Sequence, residues 1–366
     1  MNNQVVTSAP LRGEVRVVGD KSISHRALLI SALAAGRSLV RDANPGADVR
    51  ATARCLRALG IGCSTTGEEW TVEGSADALR EPSEVLDAGN SGTTLRILLG
   101  VLAGVPGLSV VTGDATLRRR PMLRVVEPLR RMGAAIDGRR NGDLPPLVVR
   151  GRPLRGAEIE TQVASAQVKT ALLLAALRAE GRTVIREPAP SRDHTERMLA
   201  AAGIDVSGQD GTIEVAGGQA PAARRWSVPG DLSAALYLIV AGLLVPGSDI
   251  TVTQVGLNPT RTAALDVLRR MGGDIRAQVE GSEAGEPVGR VRARASALVA
   301  TTIAPHEIPA LIDDLPILAV AATQARGRST LGGAAELRVK ESDRIAAMAG
   351  GLKRLGARIE ERDEGL

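Results

Sequence analysis

Residues 19–40 read GDKSISHRALLISALAAGRSLV: small polar residues, an unbroken apolar run, a glycine, and a branched tail. Ser, Asn or Asp ahead of an Ala/Leu-rich run marks a helix start, the glycine marks its stop, and a strand follows. The pattern returns at 88–111 (AGNSGTTLRILLGVLAGVPGLSVV), 164–185 (ASAQVKTALLLAALRAEGRTVI), 230–252 (GDLSAALYLIVAGLLVPGSDITV) and 312–331 (IDDLPILAVAATQARGRSTL). Between these copies lies a second pattern, a shorter amphipathic helix ending in Gly and followed by a strand hairpin. It occupies 55–74, 128–151, 198–218 and 267–295, and begins a fifth time at 351–366 as GLKRLGARIEERDEGL. The landmark glycines are Gly60, Gly133, Gly203, Gly272 and Gly356, a period of roughly seventy to eighty residues. Solenoid repeats run from about 20 to about 50 residues, so each period is read as a βαβαββ subdomain. The fifth copy stops where its returning strand should follow. The pattern therefore predicts a truncated chain or an incomplete gene product, its last strand lacking a hairpin partner; a naturally short last unit is the other reading.

At 366 residues the chain is long enough for two domains. The start, MNNQVVTSAPLRGEV, lacks the apolar core of a secretory leader. The longest apolar stretch, Leu232 to Val245, falls short of the ~20 residues that span a bilayer. Cys55 and Cys63 have no metal-like spacing and read as packing residues in a reducing compartment. The expectation is a soluble, cytoplasmic protein that does not engage a membrane. A net charge of +5 favours anionic partners. With one Tyr, two Trp and no Phe, the chain offers few platforms for stacking bases, which points to small phosphorylated molecules rather than nucleic acid. Arginine supplies 42 of the 46 basic residues, and the only lysines are Lys21, Lys169, Lys340 and Lys353. Lysine can be tuned to exchange a proton where arginine cannot. Chance survival on a solvated surface is the other explanation for any one of them.

The helix starts carry the chemistry. Unpaired N–H groups and a partial positive charge at a helix N-terminus suit anions. If the repeats pack about a pseudo-threefold axis in each domain, several starts converge; ordinary capping explains part of the pattern. Lys21, Ser22 and Arg26 combine an ammonium, a hydroxyl and a guanidinium, as phosphate and carboxylate binding requires. Asn90-Ser91-Gly92-Thr93, with Arg96 one turn on, lets a ligand approach the backbone at Gly92. Thr116–Met122 is a basic loop, a solvated charge run or an anion site, with Pro121 fixing the chain after Arg120. Ser165 and Gln167 supply uncharged donors. Asp313 and Asp314 are either caps or include a general base. Residues 339–344, VKESDR, form either a salt-bridged helix face or an acid–base pair in Lys340 and Glu341. His25, His194 and His306 have no spacing suited to a metal, and none is expected.

Eight segments in order then resemble the EPSP synthase (3-phosphoshikimate 1-carboxyvinyltransferase) family of enolpyruvyl transferases. They are GDKSISHRALL, LDAGNSGTTLR, LRRRPM, ASAQVKTALLLAAL, SRDHTERML, VPGDLSAALYL, EIPALIDDLPILAVAA and LRVKESDRI. The resemblance implies an α/β protein of two inside-out domains built from βαβαββ repeats, one from 1–20 with 229–366 and the other from 21–228. It implies a monomer acting on shikimate 3-phosphate and phosphoenolpyruvate with no cofactor, and ordinary sensitivity to glyphosate through Gly92. Lys21, Ser22, Arg26, Ser165, Gln167, Ser191, Asp313 and Lys340 would then hold shikimate 3-phosphate. Phosphoenolpyruvate would fall to Lys21, Asn90, Gly92, Arg120, Gln167 and Arg344. Asp313 would accept the proton of the 5-hydroxyl, and Glu341 would donate one to the methylene carbon, with Lys21 an alternative partner.

Three features depart from the family pattern. Ala166 stands where some relatives have a second Ser, Glu336 where some have Asn, and His25 where Asn is frequent. The family's Asp-His-Arg segment and a later Lys would fall beyond Leu366, so the resemblance implies that the sixth repeat is missing. Two rival readings stay open: the sister transferase acting on UDP-N-acetylglucosamine, which carries a reactive Cys where this chain has Arg118 to Met122, and a non-catalytic phosphate- or nucleic-acid-binding module.

Overall fold

A computed structural model describes residues 9–209, 211–339 and 342–366. Lys340 and Glu341, two of the expected site residues, lie outside the described residues. Each copy of the first pattern forms a helix: α1 (Lys21–Leu33), α3 (Gly92–Leu102), α5 (Ala166–Ala176), α7 (Leu232–Leu244) and α9 (Leu315–Thr323). Each copy of the second pattern forms one too: α2 (Ala47–Ala58), α4 (Leu123–Arg131), α6 (His194–Ala201), α8 (Ala263–Arg270) and α10 (Arg344–Arg354).

The landmark glycines explain why the second pattern repeats. All five have φ between +82° and +96°, a conformation that costs any other L-residue ~1–2 kcal/mol. The residue after each glycine donates its backbone N–H to a leucine carbonyl five residues back, at Leu56, Leu129, Leu199, Leu268 and Leu352. Five helices thus end in the same left-handed cap, which turns the chain into the following segment.

Contact grouping divides the chain into two compact units. The first takes the chain up to Val18, Pro229–Ser282 and Pro287–Leu366; the second takes Gly19–Val228 and Glu283–Glu286. The second unit has three four-stranded sheets of one design, a parallel pair followed by two antiparallel strands. Their central strands are Gly36–Arg41, Gly107–Thr112 and Arg182–Arg186. In the first unit Asp249–Gly256 is the matching strand of a fourth such sheet, and Thr302–Ile303 pairs in parallel with Thr330–Leu331. Two pairings have no local signal. Arg12–Arg16 precedes α1 in the chain yet pairs with Asp249–Gly256, while Arg225–Ser227 precedes α7 yet pairs with Gly36–Arg41.

In the second unit, α1 and α5 lie in the interior. Every residue of α1 from Ile23 to Leu33 is buried, as is every residue of α5 from Val168 to Ala176. Helices apolar on all sides need a covering on all sides. Arg12–Arg16, by contrast, is exposed along its length. One apolar core runs through the second unit from Ile23 to Val228 and takes in Ala284, and a separate core fills the first unit from Leu232 to Ile345. Among the described residues no helix is long and apolar enough to cross a membrane.

Candidate functional site

In the second unit, side-chain hydrogen bonds tie the starts of α1, α3 and α5 together. Ser91 caps α3 by accepting from Thr94 N at 3.0 Å, and Asp20 caps α1 by accepting from Ile23 N at 2.9 Å. Gln167, in the first turn of α5, donates to Thr93 Oγ1 at 2.9 Å and accepts from Arg96 Nη1 at 2.8 Å. Arg120 is buried and donates from Nη2 to Asn90 Oδ1 at 2.8 Å, and Asn90 in turn donates to Asp114. That acceptance, together with the Leu117 backbone N–H, which contributes most, holds the Asp114 carboxyl below its ordinary range.

Gly92 stands between the two guanidinium groups. A Cβ built there would lie 3.0 Å from Arg120 Nη1 and 3.3 Å from Arg96 Nη1. Two guanidinium groups, one of them bonded to Asn90, therefore lie against the first turn of α3. Guanidinium groups beside a helix N-terminus are the kind of surroundings that suit a carboxylate or phosphate. Lys21 begins α1, with Nζ 3.4 Å from Asp48 Oδ2.

Arg26 lies deeper than its expected role suggests. It is 2% exposed, and it donates from Nε to Thr195 Oγ1, from Nη1 to Ser22 O, and from Nη2 to Ala166 O and Thr170 Oγ1. These bonds use four of its five N–H groups and fasten α1 to α5 and α6. Burial lowers its pKa to about 10, so it stays charged at neutral pH. Ser165 caps α5, its Oγ accepting from Val168 N at 3.5 Å. The Ser191 hydroxyl oxygen is buried with no hydrogen-bond partner among the described residues.

His25 continues the polar layer beneath these helix starts. Its Nδ1 meets Thr52 Oγ1 at 2.7 Å, Thr52 meets Thr94 at 2.7 Å, and Thr94 donates to Ser91. Burial is the main reason its pKa falls to about 3, so the ring is neutral. His194 Nδ1 meets the buried Glu286 Oε1 at 2.8 Å.

The first unit joins its helix starts in the same way. Asp231 caps α7 through Ser233 N, and Ser233 receives Arg261 Nη2 at 2.7 Å and donates to Asp314, beside the start of α9. The paired aspartates are thereby distinguished. Asp314 is 1% exposed and bonded into this cluster, while the Asp313 side chain keeps 38% of its surface and lies 3.5 Å from Arg344 Nη1. A 3₁₀ turn ends at Val339 and α10 starts at Arg344, with Asp343 capping it through Ala346 N at 3.0 Å.

Sequence reasoning missed Ser233 and Arg261, and left Thr93, Arg96 and Lys169 without partners. Only the count of lysines had pointed at Lys169. Cys55 and Cys63 are buried free thiols. Burial pushes their pKa values up to about 12 and about 11, so neither is a ready nucleophile. Among the described residues no cluster of His, Cys, Asp and Glu is arranged to hold a metal.

Known proteins share both the sequence and this architecture. A 3-phosphoshikimate 1-carboxyvinyltransferase of Anaeromyxobacter sp. (strain Fw109-5) is 54% identical over 356 residues, which are 97% of this chain and 82% of that protein. The protein of the same name from Gloeobacter violaceus is 53% identical over 359 residues, covering 97% of this chain and 83% of its own length. A solved EPSP synthase structure from Acinetobacter baumannii superposes with a TM-score of 0.87 at 40% identity, over 97% of this chain and 81% of that one. The enolpyruvyl transferase NikO from Streptomyces tendae, at 18% identity and a TM-score of 0.69, shares the fold over 88% of this chain and 75% of its own. Since the sequence model of the family also matches residues 5–366, the chain belongs to the EPSP synthase (3-phosphoshikimate 1-carboxyvinyltransferase) family.

Proposed function

We propose that the protein transfers the enolpyruvyl group of phosphoenolpyruvate to the 5-hydroxyl of shikimate 3-phosphate and releases phosphate. The observation that carries this reading is the start of α3 at Gly92, against which the Arg96 and Arg120 guanidinium groups lie. It suits a compact dianion such as phosphoenolpyruvate, with Asn90 and Gln167 as neutral contacts and Lys21 as a further cation. Ser22, Ser165, Gln167 and Ser191 supply the hydroxyl and amide groups that a phosphorylated polyol requires. Arg26 serves chiefly by fixing Ser22 and the start of α5, with one N–H left for ligand.

The reaction is addition followed by elimination. The 5-hydroxyl oxygen bonds to the enol carbon, its proton passes to Asp313, and the methylene carbon gains a proton from Glu341 or Lys21. The tetrahedral ketal phosphate then loses a proton from its new methyl group and expels phosphate, regenerating the double bond. Asp313 suits the acceptor role because it is accessible where Asp314 is bonded into the structure. Arg96, Arg120 and Arg344 offset charge on the phosphate and carboxylate, so positioning and fixed charge supply most of the acceleration. The sister activity toward UDP-N-acetylglucosamine is disfavoured, because Arg118 to Met122 contains no cysteine and both thiols are buried elsewhere. The working form is proposed as a cytoplasmic monomer, which light scattering checks for the oligomeric state.

Release of inorganic phosphate tests the reaction. Turnover should require phosphoenolpyruvate and shikimate 3-phosphate together, and Asp313→Asn should lower kcat while shikimate 3-phosphate still binds. Phosphate release that proceeds equally without shikimate 3-phosphate, or with UDP-N-acetylglucosamine in its place, would overturn the reading.

A further inference from the structure

Lys169 is a buried lysine with no part in the site described above. It is 2% exposed on α5, and its Nζ lies 2.8 Å from Glu187 Oε2, 2.7 Å from Glu196 Oε1 and 3.4 Å from the backbone oxygen of Ser191. An ammonium has three N–H donors, and these acceptors take all of them, so Lys169 has none left for a substrate. Glu187 ends one side of a loop whose other side leads into α6, where Glu196 sits. The loop reads Glu187-Pro188-Ala189-Pro190-Ser191-Arg192-Asp193. Its two prolines have no N–H, so the backbone has few donors with which to fix itself. The Ser191 backbone is held from the side instead: its N–H donates to Glu187 Oε2 at 3.4 Å and its carbonyl accepts from Lys169. The one hydroxyl this arrangement presents, Ser191 Oγ, is buried and without a partner.

We infer that Lys169 is a positioning residue for shikimate 3-phosphate: by bonding Glu187, Glu196 and the Ser191 carbonyl together, it holds the 187–191 loop where the Ser191 hydroxyl meets the ligand. The inference rests on the proposed function, through the assignment of Ser191 as a ligand contact. It separates Lys169 from Lys21, since one lysine organises the contact and the other makes one.

The test is a double-mutant cycle read by calorimetric titration of shikimate 3-phosphate into the full chain. Lys169→Met alone strands two buried carboxylates and is prone to unfold. The principal variant is therefore K169M/E196Q, which keeps the cluster at its formal charge of −1 while removing the link. Loss of a hydrogen bond to a charged ligand predicts a roughly tenfold or greater rise in Kd for K169M/E196Q and for Ser191→Ala. Adding Ser191→Ala to K169M/E196Q should then cost little more, because the hydroxyl is already misplaced. Thermal unfolding should remain cooperative throughout. Unchanged affinity in folded K169M/E196Q, or penalties that simply add, overturns the positioning role. Unchanged affinity in Ser191→Ala overturns it as well, while binding by the unmodified chain leaves the proposed function standing. Failure of the unmodified chain to bind at all removes both.

Discussion

Replacing Gly92 by alanine separates folding from ligand binding. Gly92 is the first residue of α3 and does not have a positive φ, so an added methyl does not strain the backbone. A Gly→Ala change in a compatible conformation stabilises by ~0.4–1 kcal/mol through the unfolded chain. The methyl instead meets Arg120 Nη1 at 3.0 Å and Arg96 Nη1 at 3.3 Å, inside ordinary contact distance, so both guanidinium groups must retreat by a few tenths of an ångström. It also occupies space that an anion would use. Losing one hydrogen bond between a guanidinium and an anion costs ~1.5–3 kcal/mol, a roughly ten- to hundredfold rise in Kd. Calorimetry of phosphoenolpyruvate at saturating shikimate 3-phosphate, alongside thermal unfolding, reads both effects. Tm should hold or rise slightly while phosphoenolpyruvate affinity falls and shikimate 3-phosphate affinity is largely kept. Undiminished phosphoenolpyruvate affinity would refute the placement of the anion against Gly92.

The helix-ending glycines should differ in sensitivity. Gly203→Ala meets no atom within 4 Å and should cost only the ~1–2 kcal/mol of its φ of +82°, whereas Gly60→Ala also meets Arg80 Nε at 2.9 Å and should cost more; equal urea midpoints would contradict this. His25 has a folded pKa of about 3 against 6.5 unfolded, so the unfolded chain binds the extra proton between these values. Its contribution therefore weakens folding as pH falls below about 6.5, by up to ~1.4 kcal/mol per pH unit. Urea unfolding at pH 6.5 and pH 5 should show a steeper loss in the unmodified chain than in His25→Gln, and identical losses would rule the mechanism out. Cys55 and Cys63, with thiols raised to about 12 and about 11, should resist a disulfide-exchange reagent at pH 8 until the chain unfolds. Rapid labelling of the native protein would show that the burial argument is wrong.

The repeat was legible because its cause is local. A leucine five residues before the residue that follows a left-handed glycine is written in the sequence at Leu56, Leu129, Leu199, Leu268 and Leu352, and the chain has little choice but to turn there. The polar helix starts were legible for the same reason, since Ser91, Ser165 and Asp20 each cap the helix they precede. What stayed hidden depends on long-range pairing. Nothing near Arg12–Arg16 announces a partner at Asp249–Gly256. Nor do the residue types tell Asp313 from Asp314, which only the family resemblance separated; their structural difference comes from Ser233 on another helix. Arg26 read as a phosphate ligand, whereas Thr170 and Thr195 take much of its bonding, and Lys169 became readable only beside Glu187 and Glu196.

Calorimetric titration of shikimate 3-phosphate into the 366-residue chain tests the central claim most directly. The account predicts saturable heat with shikimate 3-phosphate and none with UDP-N-acetylglucosamine. A folded sample that gives no heat with shikimate 3-phosphate, or binds UDP-N-acetylglucosamine instead, would contradict it.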